Sequence, residues 1–280
     1  MAEAKEKGFT GEALQHLEQT INLQQSDSKK KGFSEVFSKA TSLREAGDFE
    51  GAVKLIRSGL INFPDNPELM SLLAHCYLLQ DQISLADENL QKVRDLKPGL
   101  ASLGWNTTRL YLKKNQFDKA LNMATSTHER FKKDVEGWVI LGTCLRATGK
   151  LDESLTFLNK AIEEVPNYAD ALVNRGLIYL SKVGSNDREN GLKDLDTALQ
   201  LKPYMNHIRN LIIDILIGGR EFEAAKLKLR NAIDYQADNA KIYFCLGICN
   251  QNLGDLDAAA ENYEKATNLD ASYVEAHNNL

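Results

Sequence analysis

The chain has 280 residues, of which 43% are hydrophobic and 26% charged, and its net charge at pH 7 is -5. This composition is ordinary for a folded protein and does not indicate a disordered chain. The negative net charge argues against a surface for nucleic acid or an anionic membrane, because phosphate binding requires a cationic footprint.

The first 32 residues differ in pattern from the rest of the chain. They contain no apolar run of signal-peptide length, and no segment of the chain approaches the roughly 18 apolar residues of a membrane span, so we expect a cytoplasmic protein. Gly11–Leu23 have helical periodicity and predict a leading helix that caps the following segment. The polar run Gln24–Gly32 predicts a connector.

From Phe33 onward the sequence repeats with a step of 34 residues. Pro64, Pro98, Lys132 and Pro166 are spaced at that step, which recurs after one interval of 37 residues. Such a period is typical of a repeat array and not of one compact core. The complete repeats begin near Phe33, Pro67, Ala101, Val135, Ala169, Asn206 and Ala240, and half of an eighth repeat ends the chain.

Each repeat carries two helical stripes of apolar residues. In the fourth repeat one stripe lies before a turn at Gly149 and the other runs from Leu151 to Pro166, which predicts two antiparallel helices. Small residues recur at two places and are expected to let the two helices approach closely. At the eighth place they are Ala40, Ala74, Thr108, Gly142, Gly176 and Gly247, and at the twentieth Ala52, Ala86, Ala120, Ser154, Gly191, Ala225 and Ala259.

Three segments depart from the regular pattern. The fifth repeat has three extra residues, and the turn-forming composition of Lys182–Asn190 predicts a longer interhelical loop. In the sixth repeat Arg209 and Ile213 occupy places of a bulky and a small residue, so we expect a locally different packing angle. The chain stops within the first helix of the eighth repeat, whereas arrays usually close with a polar capping helix, so we expect a fragment of a longer chain.

With these repeated places, the sequence resembles the tetratricopeptide repeat family over Phe33–Leu280. The resemblance implies an all-α fold, a right-handed superhelical solenoid of antiparallel helix pairs. It also implies a general-purpose binding surface, whose ligand the family alone does not define.

In this family the first helices of the repeats form a concave inner wall. Transferring its inner places by resemblance assigns a peptide-binding groove to residues with aromatic, cationic and amide side chains, namely His75, Trp105, Arg109, Lys113, Arg146, Asn106 and Asn174. Arginine binds carboxylates through two parallel hydrogen bonds, so an acidic or C-terminal peptide is the matching ligand. In the alternative interpretation the cations are solvated helix residues and Trp105 is wedged against the next repeat.

Asn106, Asn174 and Asn279 share the sixth place of their repeats. Family members attached to a sugar transferase carry an asparagine ladder there, and an amide can hold a peptide backbone through its donor and acceptor. Other repeats have apolar residues, Ser38 or Cys245 at this place, so the ladder is interrupted.

No motif for catalysis or for a cofactor is recognisable. The five histidines are scattered over separate segments, and neither of the two common glycine-rich phosphate loops occurs. We expect Cys76, Cys144, Cys245 and Cys249 to be buried, without disulfides and without a metal. The sequence therefore predicts a protein that is not an enzyme and has no cofactor.

The favoured function is a protein-interaction scaffold that binds an extended peptide or a folded partner, with no nucleic acid and no membrane as partner. The alternative is an N-terminal substrate-recognition arm of a larger enzyme such as a glycosyltransferase or sulfotransferase. A third possibility is end-to-end self-association through the C-terminal half-helix.

Overall fold

The computed structural model describes residues 31–182, 184–233 and 239–280, and every regular element in these ranges is an α-helix. The helices are α1 (31–45), α2 (Phe49–Asn62), α3 (Pro67–Leu79), α4 (Ile83–Leu96), α5 (Ala101–Lys113), α6 (Phe117–Arg130), α7 (Val135–Ala147), α8 (Leu151–Glu164), α9 (Ala169–Ser181), α10 (Ser185–Leu201), α11 (Asn206–Gly218), α12 (Phe222–Ile233), α13 (Ala240–Asn252), α14 (Leu256–Leu269) and α15 (Val274–Asn279). The expected all-α solenoid of antiparallel helix pairs is confirmed.

The chain forms two compact units, Met1–Lys132 and Lys133–Leu280. The first contains α1 to α6 and the second α7 to α15. The predicted leading helix and most of the predicted connector lie outside the described residues, while residues 31 and 32 already belong to α1. Among the described helices none combines the length and the apolar character needed to cross a bilayer.

The turn between the two helices of a repeat is built on one left-handed residue. Six repeats have a residue with positive φ at their fifteenth place, and in the fifth repeat that place is not described. Glycine adopts this conformation without steric cost, and Asn and Asp tolerate it better than other residues. The six residues are Gly47, Asp81, Asn115, Gly149, Arg220 and Gly254.

Small residues allow the two helices of a pair to approach closely, as the sequence indicates. Gly176 of α9 and Gly191 of α10 lie so near that a Cβ on either would be 2.9 Å from the other's carbonyl oxygen. In the fourth repeat the buried Ser154 hydroxyl donates to the Gly142 carbonyl at 2.6 Å. Substituting a larger residue at these places would therefore push the two helices apart.

Large apolar side chains fill the space between successive pairs. In the first unit Leu73, Tyr77 and Leu90 are buried in one continuous cluster with residues of α1, α2 and α5. In the second unit, Tyr243 and Leu246 are buried beside residues of α11, α12, α14 and α15. Each pair thus buries its apolar face against its neighbours, as expected for stacked repeats.

The three extra residues of the fifth repeat lengthen a helix, and the prediction of a longer interhelical loop is wrong. Ser181 ends α9 and Ser185 begins α10, which has 17 residues where the second helices of most repeats have 14. The added turn carries Arg188, whose guanidinium pairs with Glu221 at 2.6 Å and donates to the Ile215 carbonyl at 3.4 Å. The insertion therefore ties the fifth repeat to the turn of the sixth.

The two unusual residues of the sixth repeat are accommodated in its core. Ile213 is buried at the place of a small residue, and Arg209 is buried at the place of a bulky one. The Arg209 guanidinium donates to the Asn206 side chain and to the Pro203 carbonyl. The arginine stem fills the apolar space while local oxygen atoms satisfy its polar end.

Candidate functional site

The candidate site is the surface of the first helices, here called the first-helix face and defined by places 2, 5, 6, 9, 12 and 13 of each repeat. In the first unit it is built on α1, α3 and α5, and in the second on α7, α9, α11 and α13. Side chains of successive first helices meet on this face through hydrogen bonds within each unit.

In the first unit a relay of hydrogen bonds joins α5 to α3. The Asn106 amide donates to the Ser71 carbonyl at 2.9 Å and to the Ser71 hydroxyl at 3.0 Å. The Ser71 hydroxyl in turn donates to that of Ser102 at 2.8 Å. At the other end, Arg109 donates to the Asn106 side-chain oxygen at 2.8 Å. The buried amide therefore fixes the position of the Arg109 guanidinium.

Two further cations of the first unit are held by contacts between repeats. Arg44 of α1 lies 3.0 Å from Nδ1 of His75 and pairs with the neighbouring Glu45. Because an arginine can only donate, the Nδ1 atom of His75 is the acceptor in this contact. Lys113 at the end of α5 pairs with Asp81 in the turn of the preceding repeat.

In the second unit an asparagine holds an arginine of the neighbouring first helix. Nε of Arg146 on α7 donates to the side-chain oxygen of Asn174 on α9 at 3.0 Å. The Asn174 amide donates to the Asp170 carbonyl at 2.8 Å. Burial lowers the pKa of the Arg146 guanidinium, since desolvation disfavours its charged form.

Burial separates the predicted groove residues into two groups. Trp105 is 1% exposed, Asn106 3% and Asn174 8%, so their side chains are parts of the packed structure. His75, Arg109, Arg146 and Lys113 keep partial or full exposure and reach the surface. The structure brings His75, Asn106, Arg109 and Lys113 onto one face of the first unit, while Arg146 and Asn174 lie on the second. Whether a ligand binds there stays a prediction.

Arg44 and the serine pair of the relay are not among the predicted groove residues. Arg44 occupies the twelfth place of the first repeat, which Arg146 occupies in the fourth. The same transfer of places would therefore have selected Arg44. Ser71 and Ser102 occupy the fifth and second places of their repeats, which also belong to this face, but only the packed structure shows their contact with each other.

Acidic residues at the second place of two repeats form ion pairs within the repeat. Glu68 lies 2.6 Å from Lys97, and Asp170 lies 3.0 Å from Lys202. In both cases the lysine lies at the end of the repeat's second helix, just before a proline. These pairs tie together the ends of the two helices of a repeat.

The cysteines behave as packing residues. All four are buried thiols without disulfide bonds, as the sequence indicates. Burial raises the pKa of Cys76, Cys245 and Cys249 to about 11, which suppresses the reactive thiolate. In the part of the chain that the structure describes, no group of three or more His, Cys, Asp or Glu residues could hold a metal ion.

The geometry defines a class of protein: a helical-repeat array in which side chains of successive first helices form hydrogen bonds with one another. Sequence models described as tetratricopeptide repeat match residues 43–105, 109–169 and 240–273, which together make up more than half of the chain. The chain belongs to the tetratricopeptide repeat family.

Two curated proteins are similar to this chain in sequence. The chain is 27% identical to the BBSome complex member BBS4 homolog of Drosophila melanogaster, covering 70% of this chain and 40% of that protein. It is 24% identical to the tetratricopeptide repeat-containing protein trd-1 of Caenorhabditis elegans, covering 52% of this chain and 18% of that protein. The chain thus spans less than half the length of these two relatives.

Among solved structures, the crystal structure of the APC/C hetero-tetramer Cut9-Hcn1 contains a similar chain. Its TM-score is 0.64 at 16% identity, and the match covers 86% of this chain and 47% of that chain. At this identity the likeness shows the fold alone. It agrees with the helix pairs described above.

Proposed function

We propose that the protein is an interaction scaffold that binds an extended segment of a partner protein on its first-helix faces. One observation carries the proposal: buried asparagines fix cationic side chains on the first helices, where Asn106 holds Arg109 of its own helix and Asn174 holds Arg146 of the preceding first helix. A side chain fixed in advance loses less conformational entropy when a ligand binds, so such a surface is prepared for a partner.

Family membership and one relative support this proposal. Arrays of this kind stack repeats into extended surfaces suited to long ligands. The Drosophila relative is, by its name, a member of a complex. A role in a protein assembly is therefore the natural expectation here, although the chain spans only part of that relative.

The chemistry of the face favours an acidic segment in the first unit. Arg44, Arg109 and Lys113 bring cationic groups to this surface. Trp105 is buried and stabilises the platform without contacting the ligand in this conformation. Arginine at the centre of an interface commonly contributes much of the binding energy, so Arg109 is the residue to test first.

The test begins with selection of peptides from a random display library on the full chain, followed by calorimetric titration of the enriched peptides. The double variant Arg109→Glu/Lys113→Glu should weaken binding by more than about tenfold, because it reverses two charges on the face. The matched control is Lys54→Glu/Lys119→Glu, which reverses two lysines on the second helices α2 and α6. Equal loss in both variants, or a selection without enriched peptides, would contradict the proposal.

Several narrower expectations stay predictions. They are the absence of catalytic activity, the cytoplasmic location, the exclusion of nucleic acid as a partner, end-to-end self-association, and the alternative of a recognition arm for a glycosyltransferase or sulfotransferase. The peptide selection separates the scaffold from self-association, because a chain that only binds itself enriches no foreign peptide.

A further inference from the structure

The seventh repeat carries a charge pair in reverse order at the ends of its two helices. In the second and fifth repeats an acid at the second place pairs with a lysine at the thirty-first place, counted without the insertion. These pairs are Glu68 with Lys97 and Asp170 with Lys202. In the seventh repeat the second place is Lys241 and the thirty-first is Asp270. The charges are exchanged, so an ion pair of the same kind would be possible here.

This ion pair does not form, because each of the two residues has another partner. Lys241 at the start of α13 pairs with Asp214 of α11 at 3.2 Å. Asp270, which follows α14, accepts hydrogen bonds from the Ser272 backbone N–H at 2.9 Å and from the Ser272 hydroxyl at 2.6 Å. These hydrogen bonds lower the pKa of Asp270 and keep its carboxylate ionised. Among the described residues no cation lies within ion-pair distance of Asp270.

Lys241 and Asp270 line the same open cavity, which has a volume of about 540 Å³ and lies where α13 begins and α14 ends. Ligand cavities in proteins commonly measure about 300–1,000 Å³. The cavity wall also contains Leu269, which is 41% exposed, and the ring of Tyr273. It therefore combines an apolar surface, an aromatic ring and a carboxylate without a counter-ion.

The electrostatic field at this cavity favours a positive charge. Burial raises the pKa of the Tyr273 hydroxyl, and negative neighbours raise it further. These neighbours are Cys245, Glu275, Asp270 and Asp214. The one cation in the wall, Lys241, is already paired with Asp214. The Tyr273 ring is held against Phe244, with 4.9 Å between the ring centroids, and an aromatic ring attracts cations.

We propose that this cavity is a receptor for a cationic side chain, arginine or lysine, of a partner segment bound to the second unit. The charged group pairs with Asp270, and the aliphatic stem lies along Leu269 and the Tyr273 ring. This inference rests on the proposed function, because a partner segment must bring the cation to the cavity. It assigns to the second unit a ligand chemistry opposite to the acidic segment expected on the first unit.

The test follows the amide signals of Ala240, Asp270 and Ser272 by NMR in the full chain. The cationic probes are Nα-acetylarginine amide and Nα-acetyllysine amide. Nα-acetylcitrulline amide is the neutral control with the shape of arginine, and the ionic strength is kept constant. We expect a saturable shift with the cationic probes and none with the citrulline probe. The cationic probe that binds more tightly identifies the side chain.

Variants assign the shift to the cavity. Asp270→Asn removes the charge while its oxygen still accepts from Ser272, and it should weaken binding by about threefold. Tyr273→Leu should weaken binding by about threefold, because the aromatic ring is lost. Lys241→Gln should strengthen binding, because it removes the cation of the wall and leaves Asp214 unpaired. The matched control Asp257→Asn changes an exposed acid in the first turn of α14 and should leave binding unaltered.

Four results would overturn the receptor: no saturable shift, an equal shift with the citrulline probe, equal losses in Asp270→Asn and Asp257→Asn, or weaker binding in Lys241→Gln. These failures are distinguishable from failure of the scaffold proposal. The probes bind without a partner segment, so a negative titration leaves the peptide selection unaffected. An unchanged peptide affinity of the Arg109→Glu/Lys113→Glu variant contradicts the scaffold proposal and does not alter the titration of the cavity.

Discussion

Replacing Gly247 with alanine tests whether small residues determine the distance between paired helices. Gly247 lies on α13, and a Cβ there would be 2.5 Å from Cδ1 and 2.9 Å from Cζ of Tyr263 on α14. Carbon atoms normally pack at about 3.5–4.0 Å, so the ring or the helix must move by roughly 1 Å. The Tyr263 ring is buried, and its hydroxyl donates to Gln251 at 2.7 Å, so it has little freedom to move.

The expected effect is the difference of two contributions. Overpacking of a rigid core costs up to about 3 kcal/mol, whereas replacing a helical glycine by alanine stabilises by about 1 kcal/mol. We therefore expect Gly247→Ala to lower the free energy of unfolding by about 2 kcal/mol. Gly218→Ala is the matched control, because a Cβ at Gly218 would have no atom within 4 Å and only the helical gain should remain.

Urea denaturation followed by circular dichroism measures both variants, and the slope of the transition must stay unchanged for the comparison to hold. Hydrogen exchange then locates the effect: amides of α13 and α14 should lose protection in Gly247→Ala, while those of α3 and α4 should keep theirs, because repeats interact chiefly with their neighbours. If Gly247→Ala is as stable as Gly218→Ala, the close approach of α13 and α14 does not limit the side chain at this place.

Three further changes test other features. Arg220→Gly should stabilise the fold by about 1 kcal/mol, because Arg220 has a φ of 61°; unchanged urea stability would show that the left-handed turn is not strained. Asp194→Ala should cost about 3 kcal/mol because it leaves Arg175 without its anion, and a loss below about 1 kcal/mol in the same assay would show that solvent compensates the charge. Cys76 and Cys245, with pKa values of about 11, should resist alkylation at about pH 8 until urea unfolds the chain, and rapid native labelling would contradict their burial.

The helix pairs and their small-residue contacts could be predicted because the same pattern of apolar and small residues recurs along the repeats. The close approach at Gly142 and Gly176 follows from the small residue at the eighth place of six repeats, and the turn at Gly149 follows from a residue suited to positive φ. The secondary structure of the three-residue insertion could not be predicted in the same way. Gly, Ser, Asn and Asp favour turns, but they are also the residues that begin helices, so composition alone does not distinguish a loop from the first turn of α10.

The contacts of the asparagines at the sixth place could not be predicted from the family resemblance. An amide there has a donor and an acceptor for a peptide backbone, and nothing in the sequence identifies its partner within the chain. In the structure Asn106 contacts Ser71, 35 residues earlier, and Asn174 contacts Arg146, 28 residues earlier. Both amides thus form hydrogen bonds between repeats within the chain itself.

Because these amides are bonded to other residues of the chain, we expect ligand recognition to depend directly on the arginines and only indirectly on the asparagines. If buried asparagines position arginines, then a ligand on the first-helix face contacts guanidinium groups, and the asparagines act through them. Removing an asparagine should then lower the affinity for a carboxylate without removing the charge, whereas removing the arginine should abolish it. The contrast between Asn174→Ala and Arg146→Gln in the calorimetric titration of the selected peptides measures this division, and an unaltered affinity in Asn174→Ala would assign the asparagine to folding alone.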